Sequence, residues 1–127
     1  MTLHDHATRL QELAAGPAIL DAVDQFYADD VVIVEATGES FTGKETQKER
    51  VREFMGSVAE MHDGGIRSIA AHETAPGTGI AFAETWTDMT FQDGSRLMLE
   101  EVAVQTWENG KVVRERFYYD TAPGADA

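Results

Sequence analysis

The sequence predicts an α+β fold, and two observations carry that expectation. Up to about residue 61, apolar residues recur at helical spacing in three stretches, while from residue 66 the period switches to two. Turn residues then punctuate the chain at Pro76-Gly77, Asp93-Gly94 and Asn109-Gly110, the last two being strong hairpin signals. Three N-terminal helices followed by a meander of long antiparallel strands fit that class, and a curled sheet wrapped on the helices would leave a cavity between the layers.

Thr2 with Asp5 reads as a capping box that opens the first helix. Its stripe is Leu3, Ala7, Leu10 and Ala14, and Gly16 ends it. Pro17 suits the first turn of a second helix, whose buried face is Ile19, Leu20, Val23, Phe26 and Tyr27. Asp29-Asp30 closes that helix, and the β-branched run Val31 to Val34 follows as a strand. Phe41 belongs to a short return strand. Thr42 and Glu45 form a second capping box before the third helix, with Val51, Phe54, Met55, Val58 and Met61 on its apolar face. Gly64-Gly65 breaks it. Strands are expected at about 66 to 74, 79 to 91, 95 to 108 and 111 to 121, followed by a frayed tail from about 122 to 127. No linker or repeat divides the 127 residues, so a single domain is expected.

Composition narrows the function classes. Ten basic against 23 acidic residues give a net charge of −13, which disfavours nucleic acid and anionic membranes as partners. The absence of cysteine removes disulfides, thiolate metal sites and cysteine nucleophiles. No apolar run approaches a membrane span and no signal peptide is visible, so the expected location is cytoplasmic. The four histidines, His4, His6, His62 and His72, lack metal-ligand spacing, and no metal site is expected. His62 reads instead as a cap at the end of the third helix. Neither a nucleophile elbow nor a phosphate loop is present, and no cofactor is implied.

The stretch from Tyr27 to Lys44 carries more information. It runs Tyr-Ala-Asp-Asp, then a β-branched strand, then Glu35, a turn at Gly38, and Thr42-Gly43-Lys44-Glu45. It resembles the corresponding run of the nuclear-transport-factor-2-like superfamily, in its SnoaL-like and ketosteroid-isomerase-like (polyketide cyclase) branch. That resemblance implies the cystatin-like α+β cone, a small-molecule pocket, and a homodimer formed through the outer face of the sheet. On that face Val102, Val104, Arg114, Arg116 and Tyr118 are expected, with Glu100 available to meet an arginine across the interface.

Turn geometry sets which side chains face the pocket. A two-residue turn at Asp93-Gly94 pairs Gln92 with Ser95, and so sets Trp86 opposite Glu101, Glu84 opposite Ala103, and Phe82 opposite Gln105. At Asn109-Gly110, a strict two-residue loop would turn Glu115 and Phe117 to the other face. A three-residue loop is preferred, because it leaves Phe117 and Tyr119 concave and Arg114, Arg116 and Tyr118 outside. The concave face then holds Phe82, Glu84, Trp86, Glu101, Gln105, Glu115, Phe117 and Tyr119, with Phe54 and Val58 closing it from the third helix.

Glu35 matches the aspartate that serves as general base in the ketosteroid isomerases, work that needs a carboxyl with a raised pKa. The other expected catalytic groups are Glu84 and Glu115, which would flank Ala103 and share a proton unless Arg67 or Arg96 neutralised them. The isomerases' two oxyanion donors fall at Gln11 and Ala103, neither of which can replace them, so ketosteroid isomerisation itself is disfavoured. The resemblance implies a cofactor-independent enzyme moving protons on a small apolar or carbonyl-containing molecule, of isomerase, cyclase or hydrolase type. The alternative is a non-catalytic ligand-binding or dimeric association module on the same fold.

Overall fold

The computed structural model describes residues 1–121, in which two helices, two strands and a third helix precede four further strands. The frayed tail expected at 122 to 127 lies outside the described residues. The chain runs α1 (Leu3–Ala14), α2 (Ile19–Phe26), β1 (Tyr27–Val34), β2 (Ser40–Thr42), α3 (Lys44–Ser57), β3 (Val58–Ala75), β4 (Thr78–Phe91), β5 (Arg96–Glu108) and β6 (Lys111–Tyr118). The six strands form one curved, unclosed sheet in the order β2-β1-β6-β5-β4-β3. It is mixed: β1 runs parallel to β6, while every other neighbouring pair is antiparallel.

The capping box of α1 is present, with Asp5 N–H donating to Thr2 Oγ1 at 3.1 Å and Thr2 N–H donating to Asp5 Oδ2 at 2.9 Å. The stripe Leu3, Ala7 and Leu10 is buried by packing on α2 and the sheet, where Val23, Phe26, Ile33, Trp107 and Val112 continue the same core. His6 sits inside this layer, with its ring 6.1 Å from those of both Phe26 and Trp107. Burying a leucine such as Leu10 is worth about 1.5–3 kcal/mol, so the α1 stripe is a principal tie between helices and sheet.

Several expectations about element ends are corrected. α2 is closed by Tyr27, which caps it and opens β1, instead of by Asp29-Asp30, which lies within that strand, where its backbone continues into the β-branched run. The N-cap of α3 is Gly43, with no side-chain cap, so the expected Thr42–Glu45 box is absent. That helix ends at Ser57, which leaves Val58 and Met61 on β3 and Gly64-Gly65 inside the strand. β3 carries four register shifts, between Val58/Glu60, Met61/Asp63, Ile66/Ser68 and Glu73/Ala75. Each adds local bend and twist, which is how an 18-residue strand wraps the cone. His62 is a strand residue, its Nε2 2.7 Å from Thr90 Oγ1, and caps no helix.

The two hairpins exchange the loop types expected of them. At β4–β5 the loop has three residues, Gln92-Asp93-Gly94, closed by Phe91 N–H donating to Ser95 O at 2.8 Å, with Gly94 at φ 90°. Asp93 Oδ1 accepts from Ser95 N–H at 2.9 Å and from its hydroxyl at 2.6 Å, which stabilises this longer loop. Every β4–β5 pair is thereby one residue off the two-residue expectation: Thr85 faces Glu101, Ala83 faces Ala103, and Ala81 faces Gln105. At β5–β6 the loop is the two-residue Asn109-Gly110, both at positive φ, with Glu108 opposite Lys111. A shift after Trp107↔Val112 leaves Val113 without an opposite residue, and pairing resumes at Thr106↔Arg114 and Gln105↔Glu115. That bulge restores the face that the shorter loop would have inverted.

Candidate active site: a carboxyl pair in an acidic cavity

A cavity of about 550 Å³ lies between the helices and the concave side of the sheet. α1 and its following turn contribute Leu10, Gln11 and Ala14 through Pro17, α2 contributes Ile19 and Val23, and α3 contributes Gln47, Val51, Phe54 and Met55. Its polar wall comes from three strands: Tyr27 at the start of β1, Glu101 on β5 and Glu115 on β6. The sheet brings the last two to one face because each is preceded and followed by residues that alternate outward. Apart from Asp63 near the start of β3, Tyr27, Glu101 and Glu115 are the only ionisable side chains in the wall among the described residues, and no lysine, arginine or histidine of those residues lines it.

Glu115 is 1% exposed and fully engaged. The Tyr27 hydroxyl donates to its Oε1. Gln105 Nε2 donates to Oε2 at 2.8 Å, and Gln105 Oε1 in turn accepts from Trp107 Nε1 at 3.1 Å. The relay Trp107–Gln105–Glu115–Tyr27 thus orders a buried carboxyl from behind, in the manner of a satisfied polar network. Burial pushes the Glu115 carboxyl up to about 7, although the two hydrogen bonds oppose the rise; the Glu35 charge adds to it. Burial likewise lifts the Tyr27 hydroxyl well above its ordinary range, reinforced by the Glu115 charge.

Glu101 has no hydrogen bond to another side chain among the described residues, and it borders the cavity. Desolvation, then the charges of Glu115 and Glu35, push its carboxyl up to about 7. Two carboxyls poised near neutrality in one low-dielectric space titrate as a coupled pair. Glu35 itself follows β1 in the β1–β2 turn, outside the cavity wall. Its Oε2 accepts from the Tyr119 hydroxyl at 3.1 Å, and Arg50 lies 3.8 Å from its Oε1. Burial and the Glu35 charge raise Tyr119 to about 12.

The register difference at β4 relocates the remaining expected residues. Phe82, Glu84 and Trp86 alternate with the concave Ala81, Ala83, Thr85 and Thr87, and so belong to the outer side of the sheet. Glu84 accepts a hydrogen bond from Ser68 Oγ at 3.0 Å, and therefore does not flank Ala103 with Glu115. Phe82 is 45% exposed. Trp86 still borders the cavity, its indole lying over Gly65, where an added Cβ would come within 2.8 Å of Nε1. Arg67 pairs with Glu100 and Arg96 with Asp88 at 2.8 Å, so neither neutralises the cavity carboxyls. Of the expected ligand-binding set, Phe54, Trp86, Glu101 and Phe117 border the cavity, Gln105 stands behind Glu115, and Val58 and Tyr119 lie outside the wall. Tyr27 and Gln47 were not singled out from the sequence. Tyr27 reads as one more apolar-face residue of α2, and only the parallel β1–β6 pairing reveals its proximity to Glu115. No group of three or more potential metal ligands occurs among the described residues.

Comparison with known proteins now bears on the fold and the family. A Mesorhizobium loti protein, provisionally named a SnoaL-like polyketide cyclase, is 24% identical, with 94% of this chain and 100% of that one covered at a TM-score of 0.70. A Pseudomonas putida protein, provisionally named a polyketide cyclase, is 19% identical over 95% of this chain and 93% of that one, with a TM-score of 0.74. A Catenulispora acidiphila protein of ketosteroid isomerase-like fold, solved in complex with trimethylamine, is 15% identical over 95% of this chain and 88% of that one, at 0.73. These likenesses establish the α+β cone. A comparison with curated proteins finds no match. No helix is long and apolar enough to cross a membrane among the described residues. Residues 1–119 match the SnoaL-like domain as a family, and the chain belongs to it.

Proposed function

We propose that this protein is a cofactor-independent enzyme that moves a proton on a small, neutral, largely apolar molecule carrying a carbonyl group. The observation that carries this reading is the arrangement of Glu101, Glu115 and Tyr27 on one wall of a largely apolar cavity. Glu101, unbonded by other side chains, is the base: ionised, it takes a proton from the carbon next to the carbonyl. With Glu115 protonated and donating to the Tyr27 oxygen, the Tyr27 hydroxyl is free to donate to the oxygen on which charge develops, and Glu101 returns the proton to a different carbon or to the same one. Glu35 acts at a distance, because its charge raises both cavity carboxyls. The absence of any basic side chain in the wall argues against an anionic substrate, since a carboxylate or phosphate would meet only like charge.

The test is deuterium exchange next to the carbonyl of α-tetralone, an enolisable bicyclic ketone, followed by NMR with catalytic amounts of protein. Wild type accelerates exchange, and Glu101→Gln loses roughly a hundredfold or more of the acceleration. Binding of the ketone without exchange would leave a ligand-binding module instead.

A homodimer through the outer sheet face belongs to the same reading. Ile80, Phe82, Met98 and Tyr118 are 42, 45, 48 and 50% exposed, and alternation places all four on that side. The Arg67–Glu100 pair forms within one chain, so Glu100 is not held in reserve for a partner's arginine. The cysteine-free composition fits a reducing, cytoplasmic location.

A further inference from the structure

Gln47 stands apart from the carboxyl wall. It lies in the first turn of α3, is 8% exposed, and lines the cavity from the helical side. Its backbone N–H is satisfied by Gly43 O at 3.0 Å, yet its carboxamide makes no hydrogen bond among the described residues, and its buried Oε1 is without a donor. A buried amide left unmatched is costly, and of the three buried side-chain atoms without a partner among the described residues, His6 Nδ1, Arg116 Nε and Gln47 Oε1, only the last belongs to a residue of the cavity wall. The neighbours that share the cavity wall with it on α2 and α3 are apolar: Val23, Val51, Phe54 and Met55. None of them offers a hydrogen bond. Water or ligand in the cavity is then the available partner.

We infer that the Gln47 carboxamide is a specificity-determining contact that recognises a hydroxyl group on the ligand, at a point on the cavity wall separate from the carboxyls. A hydroxyl both donates and accepts, so it satisfies either end of the amide, and the soft terminal torsion of glutamine lets the amide turn to meet it. Gln47 sits on α3 and the two carboxyls on β5 and β6, so a ligand that meets both has an apolar body with a carbonyl at the sheet and a hydroxyl toward α3. A hydroxylated aromatic or alicyclic ketone has that form. The inference rests on the cavity being a ligand site, as proposed above, and adds which substituent the site selects.

The test compares α-tetralone with the set of its isomers bearing one ring hydroxyl, titrated by calorimetry into wild type and into Gln47→Met. In wild type at least one isomer binds roughly fivefold more tightly than the parent ketone, the size of one hydrogen bond. In Gln47→Met that advantage falls below about twofold while the parent binds unchanged, and the ligand-free variant melts at the same temperature or higher. Gln47→Leu serves as a second apolar replacement if methionine perturbs folding. If the parent binds but no isomer gains, or the gain survives in both variants, the role of Gln47 is refuted and the cavity reading stands. A lower melting temperature in both ligand-free variants would show that the amide serves the fold instead. If neither ketone nor isomers bind, the cavity reading fails and this inference with it.

Discussion

Tyr27 and Glu115 are 88 positions apart in the chain, yet the hydroxyl of one donates to the carboxyl of the other in the wall of the cavity. The contact exists because β1 and β6 are parallel neighbours in the sheet, with Ile33 beside Glu115 and Tyr27 beside Val112. It joins the structural core to the proposed chemistry, and removing it has two readable consequences.

Tyr27→Phe keeps the ring and deletes the donor. The buried Glu115 loses one of two hydrogen bonds, and the expected destabilisation is about 1–3 kcal/mol by urea denaturation. Because the Tyr27 bond lowers the Glu115 pKa, its loss moves the titration further above 7. Carboxyl NMR reads the shift directly, and a downward movement would contradict the network described here.

Stability should fall as pH rises through the range of the two carboxyls. Glu101 and Glu115 titrate near 7 when folded and near 4.5 in their ordinary state. Between those values the folded chain holds more protons than the unfolded one, so their stabilising contribution is complete below about 4.5 and is lost by about 7. Glu101→Gln therefore raises the melting temperature at pH 8 and changes it little at pH 4. Glu35→Gln removes a charge that raises both groups, and shifts both titrations downward. A melting temperature that rises with pH across this window would overturn the assignment.

The bulge at Val113 makes an unusual deletion tolerable. Without that residue, Trp107↔Val112 runs straight into Thr106↔Arg114, and Glu115 still faces Gln105. The variant lacking Val113 is expected to unfold cooperatively with a loss of about 1–2 kcal/mol, and to keep the Glu115 titration near 7.

Phe82→Glu addresses the outer face. Light scattering of wild type is expected to give a dimer at micromolar protein, and this substitution a monomer that keeps the cavity carboxyl titrations, because Phe82 lies on the opposite side of the sheet from Glu101. A wild-type monomer, or a variant that still dimerises, would refute pairing through that face.

How much of this was legible in the sequence depends on range. The α1 capping box and the stripe Leu3, Ala7 and Leu10 follow from local spacing, whereas Glu115 and Phe117 reach the concave face through the bulge at Val113 and not through the three-residue loop that spacing suggests. The end of α3 was misread because Val58 and Met61 continue its apolar period, although tertiary pairing with Phe91 and Met89 draws them into β3. The expected glutamate pair was misassigned for a smaller reason. Asp93-Gly94 fits two loop lengths, and the side-chain bonds of Asp93 to Ser95 favour the longer one.

By itself, then, the sequence determined the α+β class, the order of elements, the acidic surface charge and the presence of a carboxyl-bearing concave face, because periodicity, turn residues and charge are local properties of the chain. Tertiary structure alone decided which carboxyls share the cavity, that Tyr27 serves Glu115, and that Gln47 faces the ligand space with its amide unmatched. The physical reason is the period of two in a strand: one extra residue in a loop or bulge exchanges the inner and outer sets. That single residue moved Glu84 outward from the face where spacing had put it, and left Glu101 as a carboxyl bordering the cavity.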